Sequence, residues 1–267
     1  MTVMTVDSKK LDPIKCNELA EMEGVRHGFF TRQGGFSKGI YAGLNCGLSS
    51  SDVRSNVSKN RELIAQEISN GKVSRINTVD QVHGNKVISF PLAKSSQKPP
   101  RADGAVTNEP WEILAILTAD CAPILFFDPK ARVIGACHAG WRGAINGVVE
   151  NTILGMVSLG ASRSQIISVI GPCIGHKSYQ VGQEFWERFI SIDPTNRRFF
   201  EHAKKGPYLF DLQGFVKNQL HRSDIQVLSS VVGDTFTETQ KFFSFRRSLI
   251  MGEPDYGRMV SAIMLRS

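Results

Sequence analysis

The chain has 267 residues, of which 41% are hydrophobic and 21% are charged, and its formal net charge is +7. This composition is typical of a folded globular protein and excludes a disordered, collagen-like or disulfide-scaffold chain. The most apolar stretch, Ile113 to Phe127, contains Asp120 and Pro123 and is shorter than the roughly 20 residues of a membrane span. The N-terminus lacks the apolar region of a signal peptide.

The cysteines and basic residues indicate the compartment and the class of ligand. Five cysteines without CxxC spacing favour free thiols in a reducing compartment, so we expect a cytoplasmic protein with no membrane association. The basic residues are scattered in pairs, such as Lys204 with Lys205 and Arg246 with Arg247, rather than in one long run. This distribution favours a small anionic ligand over nucleic acid.

The first third of the chain alternates turns with short elements. The glycine-rich segment 27–47 predicts short strands and turns. Apolar residues recur at helical spacing over 53–68 and predict a surface helix. The segment TVDQVHGNKVISF predicts a hairpin that turns at Gly84 and Asn85, with His83 beside the turn.

The middle of the chain predicts buried strands. The polar, proline-rich residues 91–101 predict a loop. The pieces EILAILTAD, PILFFDP and ARVIGACHAGW are too apolar to face water and predict central strands. One helix is expected after them, with its apolar face running from Ile145 to Met156 and its end at Gly160.

The remaining third repeats this alternation. Residues 166–170 predict a strand, and helices are expected over 182–192 and over 212–222, the latter capped by Asp211. The segments IQVLSSVV and VSAIMLR predict the last strands. We therefore expect a mixed α/β fold with central mixed β-sheets flanked by helices.

Three residues have the chemistry of a metal site. His83 lies at the predicted turn, and Cys121 and His138 each end a buried strand, where sites are usually assembled. Two imidazoles and one thiolate leave a fourth tetrahedral position open, as in catalytic zinc. Their spacing matches no local zinc motif, and buried histidines and cysteines without any ligand are common.

The turn AGWRG, residues 139–143, is a second candidate because it joins a buried strand to a helix. Backbone N–H groups at a helix start favour an anion such as phosphate, and Arg142 could add a charge-assisted contact. The alternative is that the glycines only allow strand and helix to pack closely.

Two further positions carry charge in apolar surroundings. Asp120 interrupts the apolar stretch and is either an acid or base or a carboxylate that accepts backbone hydrogen bonds. In KFFSFRR the phenylalanines predict core, and Arg246 is a candidate for an anion. Together with Arg32 and Arg142, it could gather positive charge near the metal donors.

The chain resembles the laccase-domain family of bacterial proteins, first described as multicopper polyphenol oxidases and now regarded as purine nucleoside phosphorylases. The resemblance is carried over residues 25–265 by HGFFTRQGG, QVHGNKV, ADGAVT, LTADCAPILFFDP, GACHAGWRG, IGPCIG and FFSFRR. It implies a short N-terminal extension, 1–24, and one catalytic domain, 25–267. It also implies one zinc ion held by His83, Cys121 and His138.

The resemblance further implies the reaction. The family phosphorolyses adenosine, inosine, guanosine and methylthioadenosine and also deaminates adenosine, so purine nucleosides and phosphate are the expected substrates. The chain departs from the family pattern at Asp234, where a cysteine is frequent, and at Gln180, where a glutamate is frequent. Neither departure affects the three metal donors.

Two other readings use the same residues. A metal-free amidohydrolase would employ Cys121 as nucleophile and His138 or His83 as base. A copper polyphenol oxidase is disfavoured, because a multicopper site needs many imidazoles and the chain has six histidines. A single copper bound by two histidines and one cysteine is chemically compatible with the donor set. The sequence leaves the oligomeric state open.

Overall fold

The computed structural model describes residues 11–73, 75–92, 98–202 and 208–267. The strands within these ranges are β1 (Val25–Phe29), β2 (Val87–Ser89), β3 (Gly104–Thr107), β4 (Ile113–Thr118), β5 (Ala122–Asp128), β6 (Val133–Ala139), β7 (Ile167–Ile170), β8 (Gln180–Val181), β9 (Phe200–Glu201), β10 (Tyr208–Phe210), β11 (Gln226–Ser230) and β12 (Met259–Leu265).

The helices confirm the prediction of a mixed α/β fold. The α-helices in the same ranges are α1 (Asn17–Ala20), α2 (Arg54–Ser69), α3 (Trp141–Ile145), α4 (Val148–Ser158), α5 (Gln183–Ile192), α6 (Leu212–Arg222) and α7 (Phe245–Met251). Short 3₁₀ helices cover Gly39–Tyr41, Arg163–Gln165, His176–Ser178 and Pro194–Phe199. The predicted cap of α6 is confirmed, since the Asp211 side chain accepts a hydrogen bond from the backbone N–H of Gly214.

The strands form three sheets. The largest has the order β11-β7-β5-β6-β3-β2, the second β1-β12-β4, and the third β8-β10-β9. In the largest sheet β11 pairs with β7 and β2 with β3 in parallel, whereas the central pairs are antiparallel. The sheet is therefore mixed, as expected. The three pieces predicted as central strands are β4, β5 and β6 and all are buried, but they lie in two sheets: β5 and β6 pair with each other, whereas β4 pairs with β12.

The core explains why strand β5 lacks a polar face. Along β5, Ile124 and Phe126 pack towards helices α4 and α6, while Leu125 and Phe127 pack against the sheet β1-β12-β4. The opposite face of that smaller sheet is covered by α2 through residues such as Ile64. Both faces of β5 are thus buried, which accounts for its continuous apolar sequence.

Two predicted elements are wrong in detail. The single helix expected after β6 is divided into α3 and α4, because Gly147 between them has a left-handed backbone with φ of 89°. The hairpin expected around Gly84 and Asn85 is absent from the described residues, and β2 pairs in parallel with β3 instead. The N–H groups of the turn instead donate hydrogen bonds to the carboxylate of Asp103, which lies outside the turn.

The chain before β1 packs on the core. Leu11, Cys16 and Leu19 are buried, and Ile14 forms a bridge with Phe29. Residues 93–97 of the predicted loop, and Lys204 with Lys205, lie outside the described residues. No helix in the described ranges combines the length and apolar character needed to cross a membrane.

Candidate metal centre and its cavity

One end of the largest sheet brings the predicted metal donors together. Cys121 directly precedes β5, and the antiparallel register sets Pro123 beside His138 near the end of β6. The next strand, β3, pairs Gly104 with Cys137, and β2 follows the turn that carries His83. Residues from four strand ends therefore meet at one edge, although they are far apart in sequence.

The three donors form a compact group. The ligand atoms of His83, Cys121 and His138 all lie within 4.8 Å of one another. The Cys121 Sγ atom is 3.9 Å from Nε2 of His83, and the two imidazole rings are 4.7 Å apart at an interplanar angle of 74°. Zinc bonds of about 2.0 Å to nitrogen and 2.3 Å to sulfur place tetrahedral donors about 3.3–3.6 Å apart, so this group suits such an ion after a small contraction.

A buried carboxylate lies behind both histidines. Asp103 accepts hydrogen bonds from the backbone N–H groups of Val82, His83 and Gly84 at 3.1, 2.9 and 2.7 Å. It also accepts one from Nδ1 of His138 at 2.8 Å. Because Nδ1 donates to the carboxylate, Nε2 of His138 is the nitrogen left for a metal.

The same contacts determine the charge of the group. Burial disfavours the imidazolium of His138, but the Cys121 thiolate and Asp103 outweigh burial and raise the pKa of His138 to about 9. Burial likewise raises the pKa of the Cys121 thiol, but His138 and His83 outweigh it and lower this pKa to about 7. Cys121 therefore has the thiolate character that a metal ligand needs.

Glycine leaves the space next to the donors open. A Cβ atom at position 140 would lie 2.9 Å from the Cys121 Sγ atom and 3.0 Å from Cδ2 of His83. A Cβ atom at position 143 would lie 2.8 Å from the backbone oxygen of Gly84. These contacts explain the glycines of the AGWRG turn by close packing around the donor group.

The donors lie in the wall of a cavity of about 480 Å³. This volume is within the range of small-molecule sites. Its polar lining contains two arginines, Arg61 and Arg258, together with Lys98, Asp80 and Gln81.

Arg61 is held at the cavity wall by polar groups. Its guanidinium donates to the backbone oxygen of Cys46 at 3.2 Å and to Oγ1 of Thr78 at 2.7 Å. Burial lowers the pKa of Arg61. No carboxylate in the described part of the chain lies within 4 Å of its guanidinium nitrogens. A partly buried cation without an ion-pair partner is costly, and an anionic ligand would relieve that cost.

Arg258 lies on the same wall and is supported differently. Its guanidinium is 4.2 Å from the centre of the Tyr256 ring and donates to the backbone oxygen of Tyr256 at 3.1 Å. A nitrogen of the same group lies 3.9 Å from Asp255. The cavity therefore has two guanidinium groups in addition to the metal donors.

Two of the predicted anion-binding arginines have other neighbours. Arg32 donates to the backbone oxygens of Ala42 and Thr239 and lies over the Phe243 ring. Arg142 is exposed and lies over the ring of Trp141. Its helix, α3, has five residues. Neither arginine is in the lining of the cavity that holds the metal donors, and their role in anion binding stays a prediction.

Arg246 and Asp120 are joined to each other. Asp120 is buried and accepts hydrogen bonds from Oγ1 of Thr235, Oγ of Ser244 and the backbone N–H of Arg246. The Arg246 guanidinium donates to the backbone oxygen of Gln180 at 2.6 Å. These contacts fasten the segments around 235 and 244–246 to the turn before β5. A catalytic role for Asp120 and substrate binding by Arg246 stay predictions.

The two departures from the family pattern lie outside the donor group. Asp234 accepts hydrogen bonds from the backbone N–H groups of Gly175 and Phe236 and from Oγ of Ser178, so it connects two loops. Gln180 lies in β8 and is exposed.

Sequence reasoning assigned no role to three residues of this site. Asp103 lies within the ADGAVT motif, where an acidic residue between apolar residues is a signal of burial with partners. Arg61 lies on α2, which the helical pattern identifies only as a surface helix. Arg258 lies just before β12, and nothing local distinguishes it from other surface arginines.

Comparisons with known proteins identify the family of this chain. Residues 26–266 match the family described as multi-copper polyphenol oxidoreductase laccase. A purine nucleoside phosphorylase of Rickettsia conorii is 37% identical over 196 residues, 73% of this chain and 80% of that protein. A purine nucleoside phosphorylase of Deinococcus radiodurans is 41% identical over 227 residues, 84% of each chain.

A solved structure is also similar over nearly the whole chain. The crystal structure of a Neisseria meningitidis protein superposes with a TM-score of 0.84 at 30% identity, covering 97% of this chain and all of that one. The match to the family and the identity to its curated relatives lead to one conclusion: the chain belongs to the multi-copper polyphenol oxidoreductase laccase family.

Proposed function

We propose that the protein is a zinc-dependent purine nucleoside phosphorylase. The observation that carries this proposal is the group of His83, Cys121 and His138 in the wall of a cavity that also contains Arg61 and Arg258. The family relatives named purine nucleoside phosphorylase support the reaction class.

The donor set favours zinc over several copper ions. Two imidazoles and a thiolate suit zinc, and the space kept open by Gly140 lies between two of them. Within the described residues there is one group of three or more such donors, whereas a multicopper oxidase needs several copper centres. A bound zinc ion would supply a Lewis acid at this wall of the cavity.

The arginines would hold phosphate. Charge-assisted hydrogen bonds from Arg61 and Arg258 would orient the anion and partly neutralise it beside the nucleoside. A phosphate oxygen then bonds to C1′ of the ribose while the bond from C1′ to the purine nitrogen breaks. The products are ribose 1-phosphate and the purine base, which leaves with the bonding electron pair and takes up one proton.

Phosphate dependence tests this proposal. Inosine supplied with phosphate should give hypoxanthine and ribose 1-phosphate, and omission of phosphate should stop the cleavage. Free ribose formed at the same rate with and without phosphate would show hydrolysis and contradict the proposal.

Arg61→Gln tests where phosphate binds. We expect the KM for phosphate to rise about 10-fold or more, since hydrogen bonds to charged groups contribute about 1.5–3 kcal/mol, with zinc content unchanged. Arg222→Gln is the control, because Arg222 pairs with Asp193 at the surface. An unchanged KM in Arg61→Gln would remove Arg61 from the phosphate site.

We also propose the wider substrate range implied by the family: adenosine, guanosine and methylthioadenosine as further substrates, and deamination of adenosine. Deamination replaces the amino group at C6 with oxygen from water and releases ammonia. Ammonia and inosine formed from adenosine in phosphate-free buffer would support this activity. Deamination that continues after zinc removal would show that it does not use the metal centre.

A cysteine hydrolase is the second candidate, and one arrangement favours it. Cys121, His138 and Asp103 supply the thiol, imidazole and carboxylate of a catalytic triad, and Nδ1 of His138 is hydrogen-bonded to Asp103 at 2.8 Å. Hydrolysis of amides by zinc-free protein, lost on alkylation of Cys121, would favour this candidate. Inosine phosphorolysis lost on zinc removal and restored by zinc would favour the phosphorylase.

The compartment is also a proposal. All five cysteines are free, and four of them are buried. Free thiols in this number are stable in a reducing environment, which supports the cytoplasm.

A further inference from the structure

Asp103 touches both histidines of the donor group at once. Its side chain is 0% exposed. Oδ1 accepts from the backbone N–H of His83 and from Nδ1 of His138, while Oδ2 accepts from the backbone N–H groups of Val82 and Gly84. All four N–H groups that donate hydrogen bonds to Asp103 therefore belong to His83, to His138 or to an immediate neighbour of His83.

Only a carboxylate satisfies these four donors. An ionised Asp accepts at about four positions and donates at none, whereas an Asn has one accepting oxygen and an NH₂ group that would face N–H groups. The turn needs this support because His83 has a left-handed backbone with φ of 59°, which costs a non-glycine residue roughly 1–2 kcal/mol. Three successive N–H groups converging on one anion hold that conformation.

We propose that Asp103 is the positioning residue of the metal centre. It fixes the tautomer of His138 that leaves Nε2 for the metal, and it holds the His83 backbone so that the imidazole lies beside Cys121. This inference rests on the zinc site of the proposed function.

Asp128 provides a matched control within the same sheet. It is 1% exposed and accepts three backbone hydrogen bonds, from Lys130, Ala131 and Ser162 at 2.8–2.9 Å. It lies at the opposite end of β5 from Cys121. Replacing Asp128 by Asn therefore removes a buried acceptor of the same kind without touching a metal donor.

The experiment compares wild type, Asp103→Asn and Asp128→Asn. Zinc affinity is measured by competition with a chelator, and the absorption spectrum of the cobalt(II)-substituted proteins reports the ligand geometry. We expect Asp103→Asn to weaken zinc binding about 10- to 100-fold and to change the cobalt spectrum. Asp128→Asn should lower thermal stability and leave both metal readouts as in wild type.

The outcomes separate this inference from the zinc site itself. Failure of the wild type to bind zinc would overturn both. If wild type binds zinc tightly and the zinc affinity of Asp103→Asn is within about twofold of it, only the role of Asp103 is overturned. A loss of zinc affinity in Asp128→Asn equal to that in Asp103→Asn would overturn the same role.

A readout on the wild type covers the case in which Asp103→Asn does not fold. The ¹⁵N chemical shifts of the zinc-loaded protein should show His138 protonated at Nδ1 and metal-bound at Nε2. Protonation at Nε2, with Nδ1 on the metal, would contradict the inference.

Discussion

Two histidines, His27 on β1 and His138 on β6, are almost equally buried, at 2% and 3% exposure. His27 accepts a hydrogen bond at Nε2 from the backbone N–H of Cys16 at 2.9 Å. Burial, with a smaller effect of the charge on Lys15, lowers the pKa of His27 to about 4. His138 faces a thiolate and a carboxylate, which raise its pKa to about 9.

The difference between these residues is in their partners. The ring of His27 meets a backbone N–H group and stays neutral, so it serves the fold at the junction of the N-terminal segment and β1. The ring of His138 is held by Asp103 beside Cys121 in a cavity wall. Burial alone does not distinguish a structural histidine from a metal ligand. The distinguishing features are an acidic partner on one ring nitrogen and open space next to the other.

The largest expected effect comes from changing His138 to glutamine. His138→Gln should weaken zinc binding by more than about 100-fold, beyond the 10- to 100-fold effect of residues that only support a ligand. Phosphorolysis of inosine should fall with it. Zinc titration and initial rates measure both effects.

His27→Gln is the matched partner of that variant. Gln keeps an acceptor for the Cys16 N–H, and zinc affinity should stay at the wild-type value. Comparable zinc loss in the two variants would remove the distinction between the two histidines.

The second effect is the pH dependence of stability caused by His27. Its folded pKa of about 4 is below the unfolded value of 6.5, so the unfolded chain binds more protons between these values. The free energy of unfolding should therefore fall on acidification from pH 6.5 towards pH 4, by about 3 kcal/mol from this group.

Denaturant unfolding at several pH values measures this dependence. The decline over this window should be smaller in His27→Gln than in wild type. The same slope in both proteins would show that His27 is not buried in its neutral form.

The smallest effect concerns the open space before the donors. Gly140→Ala places a methyl group against the Cys121 Sγ atom and His83, and should weaken zinc binding about 10-fold, as expected for an overpacked site. Gly182→Ala is the control, since a Cβ there meets nothing within 4 Å. Equal zinc affinities in Gly140→Ala and wild type would show that this space does not matter to the ion.

The sequence predicts the buried strands well because their chemistry is local. The apolar runs around Ile124 and Ile134 cannot face water, whichever strands pair with them. Pairing is decided by distant segments, so the assignment of β4 to the smaller sheet could not be read from its own residues. The break at Gly147 depends on a left-handed backbone that a glycine permits but does not require.

The candidate site was predictable in part for the same reason. His83, Cys121 and His138 are identified by residue type, position and the family resemblance. Asp103 and Arg61 act through contacts with residues 15–35 positions away, and no local pattern identifies those partners. The arginines at 32, 142 and 246 are chosen by motif, whereas the cavity is lined by Arg61 and Arg258.

The proposed function depends on one zinc ion held by His83, Cys121 and His138. X-ray absorption of the zinc-loaded protein reports these ligands. We expect one sulfur at about 2.3 Å and at least two nitrogens at about 2.0 Å, with the sulfur absent in Cys121→Ser. A zinc shell without sulfur in the wild type, or a sulfur that persists in Cys121→Ser, would contradict it.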